Sequence, residues 1–180
     1  MASNLLFVLI SLTVLLRASN AADVSTALCD RTSNKGLCLS IVGSDRRGNL
    51  KTSPNGVAAI LRDSALSTVA STQFKISTLL RTATAGGRAF TSLRACSAQY
   101  VIPASTLRVA NFGTINRAVY TTLLEDINEA KEGPVNCESS FQQAPAIPSP
   151  LTAENQKLRD ILVIIENVIN IVVCNHPSAC

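Results

Sequence analysis

Cys96 and Cys137 bound the stretch that most restricts how this chain can fold. Between them lies sequence that reads as two helices turned back on each other. Leu93, Cys96, Tyr100, Leu107 and Ala110 recur at spacings close to 3.6, marking one face of a helix over residues 88–111. Asn111-Phe112-Gly113 follows, with glycine where a helix end often takes a left-handed residue. A second helix is predicted over residues 114–132, with Ile115, Val119, Leu123, Ile127 and Ala130 facing inward and Gly133-Pro134 as its stop. A bridge between the two cysteines would close a hairpin over 40 intervening residues. On the chain-entropy view such a closure contributes roughly 4 kcal/mol. That is large beside the ~5–15 kcal/mol that holds a whole domain.

The chain is 180 residues long, enough for one domain with a sizeable core. From Leu5 to Leu16 it is apolar but for Ser11 and Thr13, and Ser19-Asn20-Ala21 offers small residues where a signal peptidase reads. The apolar run falls short of the ~20 residues a membrane span needs. Residues 1–21 are therefore predicted to be a secretory signal, cleaved after Ala21 or Ala22, with 22–180 as the mature domain. Removing Arg17 from 16 basic residues leaves 15 against 12 acids, net +3. All six cysteines remain, an even number in an exported chain, so disulfides are expected rather than metal or redox chemistry. Tryptophan is absent and aromatics are few, which argues against a carbohydrate-stacking cleft or a nucleic-acid platform.

Residues 22–50 read as a small helical hairpin. Val24, Leu28 and Cys29 mark one piece, Asn34-Lys35-Gly36 a turn, and Leu37, Cys38, Ile41 and Val42 a second piece. A long helix is predicted over 54–83, with Ser53 as N-cap, Pro54 at the first position and Gly86-Gly87 beyond its end. Val57, Ile60, Leu61, Ala65, Val69, Ile76 and Leu79 are its expected buried side. Pro103 should kink the 88–111 helix near Gln99 and Tyr100. Phe141 reads as an anchor, and Pro145, Pro148 and Pro150 as a stiff connector. The last helix, 152–173, has an unusually wide apolar face. Leu158, Leu162, Ile165, Ile169 and Val172 form a bundle seam, with Ile161, Ile164, Val168 and Ile171 beside it. Glu166, Asn167 and Asn170 argue against a membrane span. The fold class is all-α: an N-terminal helical hairpin, then an antiparallel four-helix bundle over 53–174.

Cys29-x8-Cys38 after a signal segment, Cys96 with Tyr100 four residues on, and Cys137-Glu138-Ser139-Ser140-Phe141 resemble the plant invertase and pectin methylesterase inhibitor family. Ser149-Pro150-Leu151-Thr152-Ala153-Glu154-Asn155, at the start of the last helix, also looks like that family, particularly members described as invertase inhibitors. The resemblance implies a disulfide-stapled bundle with bridges Cys29–Cys38 and Cys96–Cys137. It implies no catalysis and no cofactor, but stoichiometric 1:1 non-covalent blocking of a carbohydrate enzyme's active-site cleft in the cell wall or vacuole. The middle helices would make that contact, and by position Arg94, Arg108, Thr114, Arg117, Thr121, Glu125 and Glu129 are the candidate partner-binding residues. Two features depart from the family. Pro103 stands where alanine is usual, and Cys174 and Cys180 are extra, able to close a small loop or to cross-link two chains. The loop at Asn111-Phe112-Gly113-Thr114 lacks the Pro-Lys-Phe of better-known invertase inhibitors. That points to pectin methylesterase as target, with invertase as the alternative. A non-inhibitory pectin-associated or defence protein, with weak contact to polyanionic pectin, is a second alternative.

The only histidine, His176, lies in the tail beside Cys174, and no phosphate loop, metal-ligand cluster or nucleophile–base pair is visible. Charge is more informative. Arg62, Lys75, Arg81, Arg88, Arg94, Arg108 and Arg117 face a single acid, Asp63, over residues 62–117, whereas Glu125, Asp126, Glu129, Glu132 and Glu138 face only Lys131 over 125–138. Both sets can be solvated helix faces. As docking charges they would steer a partner of complementary potential.

Overall fold

Ser53 starts the longest helix. Its hydroxyl accepts from the Gly56 amide, and Pro54 occupies the first helical position where no amide is needed. In the computed structural model, which describes residues 24–178 and Cys180, six helices follow the expected order. They are α1 (Lys35–Ser44), α2 (Pro54–Thr82), α3 (Arg88–Gln99), α4 (Val101–Val109), α5 (Tyr120–Gln142) and α6 (Thr152–Cys174). A helical turn over 24–29 pairs with α1 to make the N-terminal hairpin, and a short 3-10 helix, Gly48–Thr52, lies in what sequence reads as loop. Asn34 ends the turn and caps α1, its side chain accepting from the Leu37 amide, while Lys35 and Gly36 already lie in the helix. The predicted signal over residues 1–21 lies outside the described residues.

α5 packs on α6 and on α3 and α4, while α2 packs on α6, α3 and α4. The result is four rods, one of them made of α3 and α4 in succession. No strand occurs among the described residues. α6 is the inner rod, with Leu158, Ile161, Leu162, Ile164, Ile165, Val168 and Ile169 wholly buried. The structure joins Cys29 to Cys38, Cys96 to Cys137 and Cys174 to Cys180.

Three expectations are corrected. The 88–111 helix is two helices, although the break, at Tyr100, falls where the sequence places the Pro103 kink. The break places Pro103 in the first turn of α4, where its missing amide leaves no intrahelical bond unmade. Gln73 Nε2 donates to the Tyr100 carbonyl at 3.1 Å, satisfying the backbone at the break. Second, Gly133-Pro134 does not stop the second middle helix. It begins at Tyr120, not Thr114, and runs through Pro134 to Gln142. Cys137, Ser140 and Phe141 are all buried along that extension, and their contacts outweigh the one bond the proline removes. Residues 114–119 form a connecting loop, where Asn116 Oδ1 accepts from the Ala118 amide at 2.8 Å. Third, Gly113 is not left-handed. Among the described residues only Gly86 and Asn175 have positive φ, 77° and 55°. Gly86 turns α2 into α3, and Asn175 ends α6.

Candidate functional site

α3 and α4 run antiparallel to α5, and their cross-contacts set the levels of the candidate residues. Cys96 is bonded to Cys137, the Pro103 ring meets Gly133, and Thr106 Oγ1 donates to Glu129 Oε2 at 3.4 Å. Arg108 thus falls near the level of Ile127, about half a turn along the axis from Glu125 and from Glu129. Thr114 and Arg117 lie on the loop beyond it. Thr121, Glu125 and Glu129, spaced four apart, make one exposed stripe on α5. Six of the seven predicted contact residues therefore gather at the loop end of the α4–α5 pair. Arg94 does not join them. It lies on α3 opposite Ser139, roughly 18 Å away along the rod by helical rise. There its guanidinium sits 6.0 Å from the Phe90 ring centroid.

The acidic stripe carries mutual repulsion. Burial raises the Asp126 carboxyl above the ordinary aspartate range, and the charges of Glu129 and Glu125 push the same way. Beyond it, Arg108 and Arg117 are exposed and make no ion pair among the described residues. The face thus has a basic end on α4 and the loop, beside an acidic edge on α5.

Other members of the two charge sets do internal jobs. Arg88 donates to the carbonyls of Ser140 at 2.6 Å, Gln143 at 2.8 Å and Pro145 at 3.1 Å, closing the C-terminal end of α5. Lys75 pairs with Glu154 at 2.6 Å, and Arg62 with Asp63 at 2.8 Å while standing 5.9 Å over the Phe112 ring. Burial raises the Glu154 carboxyl, but the Lys75 hydrogen bond and charge outweigh it and leave the group below its ordinary value. Glu138 accepts from Ser149 Oγ at 2.8 Å, Thr152 Oγ1 at 3.1 Å and Asn155 Nδ2 at 2.6 Å. Asn155 in turn accepts from the buried Tyr100 hydroxyl at 2.5 Å. Burial pushes the Tyr100 hydroxyl's pKa up, helped by the nearby charges of Glu154 and Glu138.

Sequence reasoning missed the apolar part of this surface. Val101 and Val109, on the outer side of α4, are 59% and 77% exposed, and Phe74 on α2 is 71% exposed. The signal was present. Val101, Ser105 and Val109 are spaced by four, on the side of the helix away from buried Ala104 and Leu107. An apolar residue facing that way has no core to enter.

Little here suits catalysis. Cys174 is disulfide-bonded, so it makes no thiol–imidazole pair with His176, whose Nδ1 lies 2.7 Å from Ser178 Oγ. An open groove of about 470 Å³ between α1, α2 and α6 contains Asp45, Asp63 and Lys157. Arg47 bridges the two carboxylates at 2.7 and 2.8 Å, so neither is free to act as a base.

The family profile described as plant invertase/pectin methylesterase inhibitor matches residues 23–171. The chain belongs to that family. Its members are inhibitors rather than enzymes. Among solved structures, a mutant form A of a pectin methylesterase inhibitor from Arabidopsis is similar at 18% identity and a TM-score of 0.63, covering 83% of this chain and 96% of that one. A pectin methylesterase inhibitor from Arabidopsis thaliana is similar at 17% identity and a TM-score of 0.56, covering 81% and 93%. At these identities the likeness establishes the inhibitor family's helical-bundle fold. A search of curated proteins found no significant match. No described helix of this family member is long and apolar enough to cross a membrane.

Proposed function

We propose that this inhibitor is secreted and blocks a pectin methylesterase by laying its α4–loop–α5 face over the enzyme's cleft in a 1:1 non-covalent complex. The observation that carries the reading is that face. It joins exposed Val101 and Val109 to Arg108, Arg117, Thr114, Thr121, Glu125 and Glu129 across α4, the loop and α5, with α5 pinned to neighbouring α3 by a disulfide. An apolar centre with a charged rim is the usual anatomy of a protein-binding patch. Two helices of this length can supply their half of the ~1,600 Å² that a standard inhibitor complex buries. The two solved structures named above are themselves pectin methylesterase inhibitors. The segment Ser149–Asn155, which resembles invertase inhibitors, spends Ser149, Thr152 and Asn155 on holding Glu138. It therefore speaks for the fold and not for the target. The predicted signal over residues 1–21 would deliver the protein to the cell wall.

The test is a titration of purified plant pectin methylesterase and invertase with the oxidised chain. Loss of methylesterase activity reaching its end point at one equivalent supports the proposal. Inhibition of invertase alone transfers the same face to that target. Inhibition of neither, with retention on pectin, leaves a polysaccharide-associated bundle.

A further inference from the structure

The three disulfides differ in what surrounds them. Cys29, Cys38, Cys96 and Cys137 are wholly buried, whereas Cys180 is exposed and Cys174 half-buried. Around the exposed bridge the tail is tied to three separate elements. Arg31 of the N-terminal hairpin donates to the Asn175 carbonyl at 2.7 Å and to its Oδ1 at 3.1 Å. Asn167 and Asn170 of α6 both donate to the Pro177 carbonyl at 3.1 Å. The Cys180 amide donates to the Tyr120 hydroxyl at 3.2 Å, and that hydroxyl donates to Asn170 Oδ1 at 2.9 Å. Tyr120 is the first residue of α5, next to the loop of the candidate site.

We propose that Cys174–Cys180 is a thiol-exchange site whose reduction frees the tail and loosens the Tyr120 anchor of the 110–119 loop. A glutathione-class thiol or a dithiol supplies the electrons. Its thiolate attacks the sulfur of the exposed residue Cys180, forming a mixed disulfide, and the Cys174 sulfur leaves with the bonding pair and takes up a proton. A second thiolate then attacks the reductant's sulfur, releasing Cys180 and leaving the reductant as its own disulfide. Two electrons and two protons have passed to the protein. Attack depends on access to the sulfur, which the buried pairs deny. On Cys174 the released thiolate would sit at the C-terminal end of α6, where the helix dipole disfavours negative charge. The protonated form is thereby favoured, and re-closure is slowed. With the covalent link gone, Asn175, Pro177 and Cys180 hold the tail by hydrogen bonds alone, in competition with water.

Two measurements decide this, and neither uses a target enzyme. The oxidised chain is incubated with graded reduced glutathione or dithiothreitol, alkylated and peptide-mapped. Cys174 and Cys180 should be labelled at thiol concentrations at least roughly tenfold below those that label the other four. Labelling of all six together, or of a buried pair first, overturns the proposal. In a Cys174→Ser/Cys180→Ser variant, the amides of Ala118 and Val119 should exchange hydrogen roughly three- to tenfold faster than in the parent, as for loss of one hydrogen bond. The core amides of α2 and α6 should not change. Unaltered exchange at 118–119, or acceleration spread evenly over the molecule, overturns the coupling to the loop.

Discussion

Gly133 has no room for a side chain. A Cβ there would lie 2.7 and 2.9 Å from the Pro103 ring and 3.0 Å from the Gln99 carbonyl oxygen. Gly133→Ala should therefore overpack the α4–α5 contact by ~1–3 kcal/mol. The better helix propensity of alanine returns up to ~1 kcal/mol. The net loss, read from a urea midpoint, should be about 1–2 kcal/mol. Adding Pro103→Ala removes the ring and should recover part of it; a double variant as unstable as the single one would mean the ring is not the obstacle. Asp126 behaves differently. Its folded carboxyl titrates above its unfolded value, so its contribution is fully present below the unfolded value and is lost as pH rises through the folded one. Asp126→Asn should accordingly melt higher than the parent at neutral pH, with the advantage vanishing below about pH 4. An equal difference at both pH values would show that the charge is not the cause.

Much of the element plan was legible because burial enforces periodicity. The seam of α6 and the inward Leu93, Cys96, Tyr100, Leu107 and Ala110 follow from one side facing a core, and the Ser53-Pro54 start of α2 from capping chemistry. The errors lie where tertiary contact overrules a local rule. Gly133-Pro134 is a strong stop in an isolated helix, but the glycine is there to admit Pro103 and the extension beyond is held by Cys137, Ser140 and Phe141. Sequence alone shows neither partner. The same holds for the candidate site. Its charges could be counted, but nothing local distinguished Arg88, which closes the end of α5, from Arg108, which has no such duty. The Cys96–Cys137 bond keeps α3 in register with α5, alongside the Ser92 hydroxyl that donates to the Ser140 carbonyl at 2.9 Å. Replacing both cysteines with serine should cost about 2–5 kcal/mol in chemical denaturation. A loss well below that range would mean that packing alone sets the register.

On the scale of the whole molecule, the proposed face separates steering from grip. Charge reversal at Arg108 and Arg117 should slow association with the target severalfold at low salt and little at high salt, with dissociation nearly unchanged. Val109→Glu, placed in the apolar centre, should instead speed dissociation; surface plasmon resonance separates the two. Affinity should also vary as pH falls toward the carboxylate range, because Asp126 begins to gain its proton before an ordinary aspartate does. Changing Glu125, Asp126 and Glu129 to their amides should flatten that dependence, and a parent already flat over the same range would remove the acidic edge from the interface. The two tyrosines, finally, stand at opposite poles of the central rod, each hydroxyl donating a hydrogen bond to an asparagine, Asn155 or Asn170. Since the chain contains no tryptophan, ultraviolet emission excited beyond the phenylalanine absorption band comes from those two rings alone. Unlabelled protein therefore carries its own optical gauge. Tyr100 reports the inner fold, and Tyr120 reports whether the far end is fastened.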